Sequence, residues 1–79
     1  MIQMSENDWL NAFGDNLRDM LESVGMSQRE LAEQTGLSPG AISKYIHKQS
    51  LPGIKAIVNI AYVLDCSMDD LIDFGCMIE

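Results

Sequence analysis

Residues 27–46 read SQRELAEQTGLSPGAISKYI, and this stretch decides the fold. Ser27 followed by Glu30 has the spacing of a capping box, which predicts that a helix begins directly after Ser27. Ser38 stands before Pro39, and proline suits the first position of a helix because the amide it lacks has no partner there. The stretch therefore predicts two short helices, over residues 28–35 and 39–48, joined by a tight turn.

The turn between these helices has the composition of a helix-turn-helix motif. Gly36 can adopt a positive φ without a steric penalty, and Ala32 is small where the two helix axes would cross. The alternative is an ordinary helical hairpin, but the residue types at these spacings favour the helix-turn-helix interpretation. Apolar residues where the pair must rest on the rest of the domain are Leu31, Leu37, Ile42 and Tyr45.

Three further helices are predicted around this motif, so the expected fold is all-α. A first helix spans residues 8–24, a fourth spans 53–64, and a fifth, capped by Ser67, spans 68–74. The apolar spacing predicts which residues of the first helix face the core: Trp9, Phe13, Leu17, Met20, Leu21 and Val24. For the fourth helix it predicts that the core-facing residues are Ile54, Ile57, Val58, Ala61 and Leu64.

Charge is unevenly distributed along the chain. Twelve acidic and five basic residues give a net charge of −7 over 79 residues, a length that suits one domain spanning residues 1–79. Residues 34–64, by contrast, contain Lys44, Lys48 and Lys55 and no acid. Because salt screens charges beyond about 8 Å, local charge decides whether a phosphate backbone is attracted. This basic window is either a nucleic-acid-facing surface or a chance gap in the acids, and charge alone leaves both open.

Several classes of protein are excluded by the sequence pattern. The longest apolar stretch, residues 54–64, is interrupted by Lys55 and is too short to cross a membrane, and no secretory signal is visible, so we expect a cytoplasmic protein. Cys66, Cys76 and the single His47 lack the spacing of zinc ligands. With no nucleophile–base arrangement or phosphate-binding glycine loop in the sequence, we expect no metal, no cofactor and no enzymatic activity.

The sequence resembles that of Cro/repressor-type regulators (the XRE family), whose helix-turn-helix domain has the lambda-repressor-like fold. The stretch SQRELAEQTGLSPGAISKYI carries the resemblance. LPGIKAIVNIAYVLDCSMDDL is similar to the family's fourth helix, turn and fifth helix, and DNLRDMLESVGM to the end of its first helix. The resemblance covers about residues 14–74 without a gap, leaving short extensions at both termini, and it implies a compact five-helix domain that binds DNA.

The resemblance also implies a set of DNA contacts. The helix beginning at Pro39 is expected to lie in the major groove, and the helix beginning at Gln28 to cross the backbone. Only Ser43 and Lys44 can donate to bases from a side chain, so we expect modest specificity. The expected base-facing residues are Pro39, Gly40, Ser43 and Lys44. The expected phosphate contacts are Gln28, Ser38, Lys48, Arg18 and Lys55.

Two questions about partners stay open. The first concerns the C-terminal tail, LIDFGCMIE. Its apolar residues, together with Leu51, form a homodimer contact, or the tail folds back over the domain's own core. The tentative contact residues are Leu51, Phe74, Met77 and Ile78. The second is function: the leading interpretation is a sequence-specific repressor that binds an inverted-repeat operator in double-stranded DNA. The alternative is an antitoxin-like or anti-repressor module that uses its acidic faces against a protein partner and binds DNA weakly or not at all.

Overall fold

Five helices form the fold in the computed structural model, which describes residues 5–72 except the side chain of Glu6. They are α1 (Glu6–Val24), α2 (Gln28–Thr35), α3 (Pro39–Ile46), α4 (Ile54–Leu64) and α5 (Met68–Leu71), with no strand in the described range. The predicted all-α, five-helix architecture is confirmed. The last helix ends at Leu71, with Ile72 as its C-cap, which is earlier than the predicted end at residue 74, and residues 73–74 lie outside the described residues.

Serine caps set the starting points of the helices. Ser27 Oγ accepts from the Glu30 amide at 3.1 Å, and Glu30 Oε1 accepts from the Ser27 amide at 3.2 Å. The same reciprocal pair joins Ser67 and Asp70, at 3.1 and 3.2 Å. Ser38 Oγ accepts from the amide of Ala41, the third residue of α3, at 3.1 Å. Each cap satisfies amides that have no partner in the first turn, an effect of about 1 kcal/mol, so the predicted starts of these helices are found.

The helix-turn-helix connection is held by short backbone bonds and by α4. Gly36 has a φ of 78° and ends α2, and its amide donates to the Ala32 carbonyl at 3.0 Å. Thr35 Oγ1 accepts from the Leu37 amide at 3.2 Å. The Asn59 side chain of α4 donates to the Thr35 carbonyl at 3.3 Å, which ties the turn to the rest of the domain.

The recognition-type helix α3 ends at Ile46, two residues before the predicted end at 48. Lys48 has a φ of 63°, a left-handed conformation that stops the helix. Its amide donates to the Tyr45 carbonyl at 3.2 Å, and the Gln49 amide donates to the Lys44 carbonyl at 2.8 Å. This turn directs the Lys48 side chain toward α1 instead of leaving it on the helix surface.

One face of each helix forms the core. The side chains of α1 and α3 meet those of α2, α4 and α5 in a single cluster. Asn16 of α1 donates to the Leu71 carbonyl at 2.8 Å and fixes α5 against α1. The fully buried large side chains are Leu17, Leu31, Ile42, Ile60 and Leu71. No helix in the described residues has the length and apolar character needed to span a bilayer.

The buried face of α4 differs from the predicted one. Ile54 is 73% exposed and Val58 is 48% exposed, so the prediction that both point inward is wrong. The helix instead buries Ala56, Ile60, Ala61 and Leu64. Because apolar residues surround most of α4, their spacing alone does not say which face meets the core. Trp9 and Val24, near the two ends of α1, are exposed as well, also against the prediction.

Candidate functional site

One side of α3 carries the four residues that the family resemblance places against bases. Ser38, Pro39, Gly40 and Lys44 are exposed, and Ser43 is partly exposed. The first turn of α3 contains no acid. Lys44 makes no ion pair with any described residue. The four residues predicted to face bases therefore run along one exposed side of α3, from Pro39 and Gly40 in the first turn to Lys44 in the last, and the Lys44 ammonium is available to a ligand.

Ser43 is held in place by a residue that the sequence analysis did not assign to the site. His47 Nδ1 donates to the Ser43 carbonyl at 2.9 Å, and the same nitrogen lies 3.2 Å from Ser43 Oγ. Because the carbonyl can only accept, Nδ1 carries the proton, and the hydroxyl keeps its own proton for another acceptor. The spacing of four residues on one helix was the signal that could have revealed this pair.

Gly40 leaves the front of α3 open. A Cβ atom placed there would have Ser38 Oγ, at 4.0 Å, as its nearest neighbour. A ligand can therefore approach the backbone of the first turn closely, although Pro39 supplies no amide and Gly40 supplies only its own. This end of the helix offers apolar contact and close approach, and Ser43 and Lys44 offer the hydrogen bonds.

The beginning of α2, at the end of that helix away from the turn, is also exposed. Gln28 is the first residue of α2, where the amide groups and the helix dipole favour negative charge. Glu30, the one acid of this first turn, has an oxygen engaged by the Ser27 amide. Lys55 is exposed in the first turn of α4 and has no ion-pair partner in the described part of the chain.

Two other cations predicted to contact phosphate already have carboxylate partners. Lys48 Nζ lies 2.9 Å from Asp15 Oδ1, and Arg18 Nη2 lies 3.4 Å from the same oxygen. Arg18 Nη2 also lies 3.6 Å from Asp19 Oδ1. The Asp15–Arg18 spacing was visible in the sequence, but the contact with Lys48 depends on how α1 crosses α3. An acid therefore stands at the C-terminal end of α3, away from its first turn.

Gly14 makes the close crossing of α1 and α3 possible. A Cβ at this position would lie 2.9 Å from Lys48 Cγ and 2.9 Å from the Tyr45 carbonyl oxygen. The Phe13 and Tyr45 rings meet edge to face beside it, with centroids 5.9 Å apart. Contacts with α1 therefore set the orientation of α3 at its C-terminal end and leave its N-terminal end outward.

The tentative dimer residues are described only in part. Leu51 is partly exposed and lines an apolar groove of about 290 Å³ with Trp9, Phe13, Pro52, Ile57 and Ile72. Phe74, Met77 and Ile78 lie outside the described residues. The structure therefore gives a position for one of the four residues and no test of the contact.

Cys66 and the acidic residues around it offer no reactive group. Burial, with the nearby Asp70 and Asp65 carboxylates, raises the pKa of the Cys66 thiol, which keeps the sulfur protonated and weakly nucleophilic. The described residues contain no group of three or more histidine, cysteine or acidic side chains placed to hold a metal ion.

Comparison with protein families also identifies a helix-turn-helix motif. A family model described as helix-turn-helix matches residues 17–71, a range that includes α2, the turn and α3 and extends from α1 to α5. This range is more than half of the chain. The comparison with curated proteins found no match.

Two solved structures have a similar fold. The crystal structure of the restriction-modification controller protein C.AhdI from Aeromonas hydrophila superimposes with a TM-score of 0.75 at 29% identity, covering 78% of this chain and 94% of that one. The solution structure of the SOS-response transcriptional repressor LexA from Eubacterium rectale gives a TM-score of 0.76 at 19% identity. That alignment covers 91% of this chain and 74% of the other, and at this identity it shows the fold alone.

Proposed function

The chain belongs to the helix-turn-helix family and is a DNA-binding transcriptional regulator, and from this premise we propose that it binds an operator with α3 in the major groove. The observation that carries the proposal is the exposed, acid-free side of α3 that holds Pro39, Gly40, Ser43 and Lys44. Lys44 donates to guanine O6 or N7, and the Ser43 hydroxyl pairs with either kind of base. Pro39 and Gly40 contribute close approach and apolar contact, including contact with a thymine methyl group.

Phosphate contacts position this reading surface on the duplex. Gln28 and Ser38, near the starts of α2 and α3, bind backbone oxygens, and Lys55 adds a cation from α4. Lys48 and Arg18 join them when phosphate replaces Asp15 as their partner. Because two of these five contacts must first leave a carboxylate, we expect affinity to be moderate and to depend on Asp15.

We place the protein on an inverted-repeat operator as a homodimer, since one domain of this type reads one half-site. Leu51 and the tail residues Phe74, Met77 and Ile78 are candidate contacts. The solved structure named as a restriction-modification controller protein, at 29% identity, supports a regulatory role. In a bacterial cell the DNA lies in the cytoplasm, so that is where we expect the protein to act.

A second function is favoured by the charge. With a net charge of −7 and two cations already paired with acids, the chain has the composition of an antitoxin-like or anti-repressor module that binds a basic protein. Such a module would bind DNA weakly and with little dependence on salt, which separates it from an operator-binding protein.

Fluorescence anisotropy with genomic DNA fragments over a series of salt concentrations tests the proposal. We expect log affinity to fall linearly with log salt, with a slope set by the number of phosphate contacts. A flat dependence, with binding that is micromolar or weaker on every fragment, would instead support the protein-binding module.

Two lysine substitutions separate base recognition from phosphate contact. Lys44→Ala should cost on the order of 1–3 kcal/mol of binding free energy on the best site and reduce the preference among sequences. On single half-sites, where contact between two copies plays no part, Lys55→Ala removes the same charge from α4 and should weaken all sequences alike, with a salt slope smaller by about one. Equal loss of preference in the two variants would contradict the assignment of Lys44 to a base.

A further inference from the structure

An apolar ridge runs along the solvent side of α4. Ile54, Val58 and Tyr62, four residues apart, are 73%, 48% and 85% exposed. Residues at this spacing lie in one row on a helix, and such a row packs into the groove beside the same row of a second helix. Three large apolar side chains exposed in one row are more than scattered surface residues would explain. We call this row the α4 ridge.

We propose that the α4 ridge, rather than Leu51 and the tail, is the main contact between two copies of this chain, related by a twofold axis that sets the two α4 helices antiparallel. Charge indicates a second copy as the occupant. The chain is acidic as a whole, but α4 contains no acid, so two copies meet here without the repulsion that their acidic ends would produce. An isologous contact of this kind requires one surface that is complementary to itself.

The two ends of α4 supply that complementarity. Lys55 is exposed in the first turn, and Asp65 is exposed as the C-terminal cap. Neither makes an ion pair with a described residue. In an antiparallel pair, Lys55 of each copy faces the C-terminal end of the other α4, where Asp65 and the helix dipole are both negative. The symmetric contact therefore contains two opposite-charge pairs beside the apolar ridge.

The size of the ridge indicates a weak dimer. Its three side chains expose a few hundred Å² on each copy, less than the roughly 800 Å² that a standard interface takes from each partner. We expect a dissociation constant on the order of 10 μM for the free protein. The inference rests on the proposed function in one respect: binding to two adjacent half-sites on DNA would raise the effective concentration of one copy near the other.

Sedimentation of the 79-residue chain, without DNA, tests the contact. The apparent mass should rise from 8.8 kDa toward twice that value between low and high micromolar concentrations. Val58→Glu should weaken association by more than about tenfold, because it puts two carboxylates together at the centre of the ridge. The matched control is Val24→Glu, since Val24 is a similarly exposed valine (50%) on α1, and it should leave association unchanged. Circular dichroism verifies that both variants are folded.

Reversing the charges tests the antiparallel arrangement. Lys55→Glu and Asp65→Lys should each weaken association, because each places like charges opposite one another. The double variant should recover it to within about threefold of the original chain. Lysine is acceptable at the left-handed position of Asp65, because Lys48 already adopts a φ of 63° in this chain. If the two effects simply add in the double variant, the proposed pairing is wrong.

The remaining outcomes are equally decisive. A chain that stays monomeric at high micromolar concentration overturns the proposal. In that case the ridge is not a contact between two copies, and the chain's own residues 73–79 or a different protein would be the alternative occupant. A dimer that Val58→Glu does not weaken overturns it as well. Because no DNA is present, these results do not depend on whether the proposed operator binding is correct. On DNA, Val58→Glu should bind a single half-site like the original chain and lose affinity only where two half-sites are present.

Discussion

Asp15 is the residue whose role the sequence reveals least. Its carboxylate lies within 2.9 Å of Lys48 and 3.4 Å of Arg18, two cations that the family resemblance assigns to phosphate. A surface ion pair contributes about 0–1 kcal/mol, so this cluster stabilises the fold only slightly. Its larger effect is expected in binding, because phosphate and Asp15 compete for the same two cations.

Asp15→Asn should therefore strengthen DNA binding about three- to tenfold at low salt and increase the salt slope by about one to two. Asp19→Asn is the matched control, because it removes the same charge but contacts Arg18 alone, at 3.6 Å. Anisotropy titrations of both variants measure the difference. If Asp15→Asn weakens binding, Asp15 positions the two cations for DNA and does not compete with it.

The helices show which structural features local sequence can predict. Ser27, Ser38 and Ser67 mark the starts of three helices because a cap acts on amides at most three residues away. The end of α3 was less predictable, since it depends on Lys48 adopting a positive φ and reaching α1. The buried face of α4 was predicted wrongly in part, because only packing against the other helices selects one face of an apolar helix.

Two glycines of the helix-turn-helix both have room for a methyl group, but only Gly36 has a positive φ, so their substitution isolates the effect of backbone conformation on stability. Gly36 has a φ of 78° with nothing near its missing Cβ, so Gly36→Ala should destabilise the fold by about 1 kcal/mol through strain alone. Gly40 lies in α3 with a regular backbone and open space, so Gly40→Ala should stabilise the fold by a similar amount. Thermal unfolding followed by circular dichroism measures both. Shifts of the same sign in the two variants would contradict these assignments.

At the scale of the whole molecule, the net charge conceals two acid-free surfaces. One is the exposed side of α3, which carries Ser43 and Lys44, and the other is the α4 ridge. The family resemblance predicted the first, because it placed α3 in the major groove, whereas the acid-free window at residues 34–64 alone left its role open. The sequence did not predict the second, because the exposure of Ile54 and Val58 follows from how α4 packs.

The most direct test of the central claim, that the exposed side of α3 faces DNA, is amide hydrogen exchange of the 79-residue chain with and without the best-binding DNA fragment. We predict that DNA slows exchange at Gly40, Ser43 and Lys44 and at the start of α2, and that a single half-site leaves the α4 ridge unchanged. Exchange that is unaffected across residues 38–44 while it slows elsewhere on the surface would contradict the account.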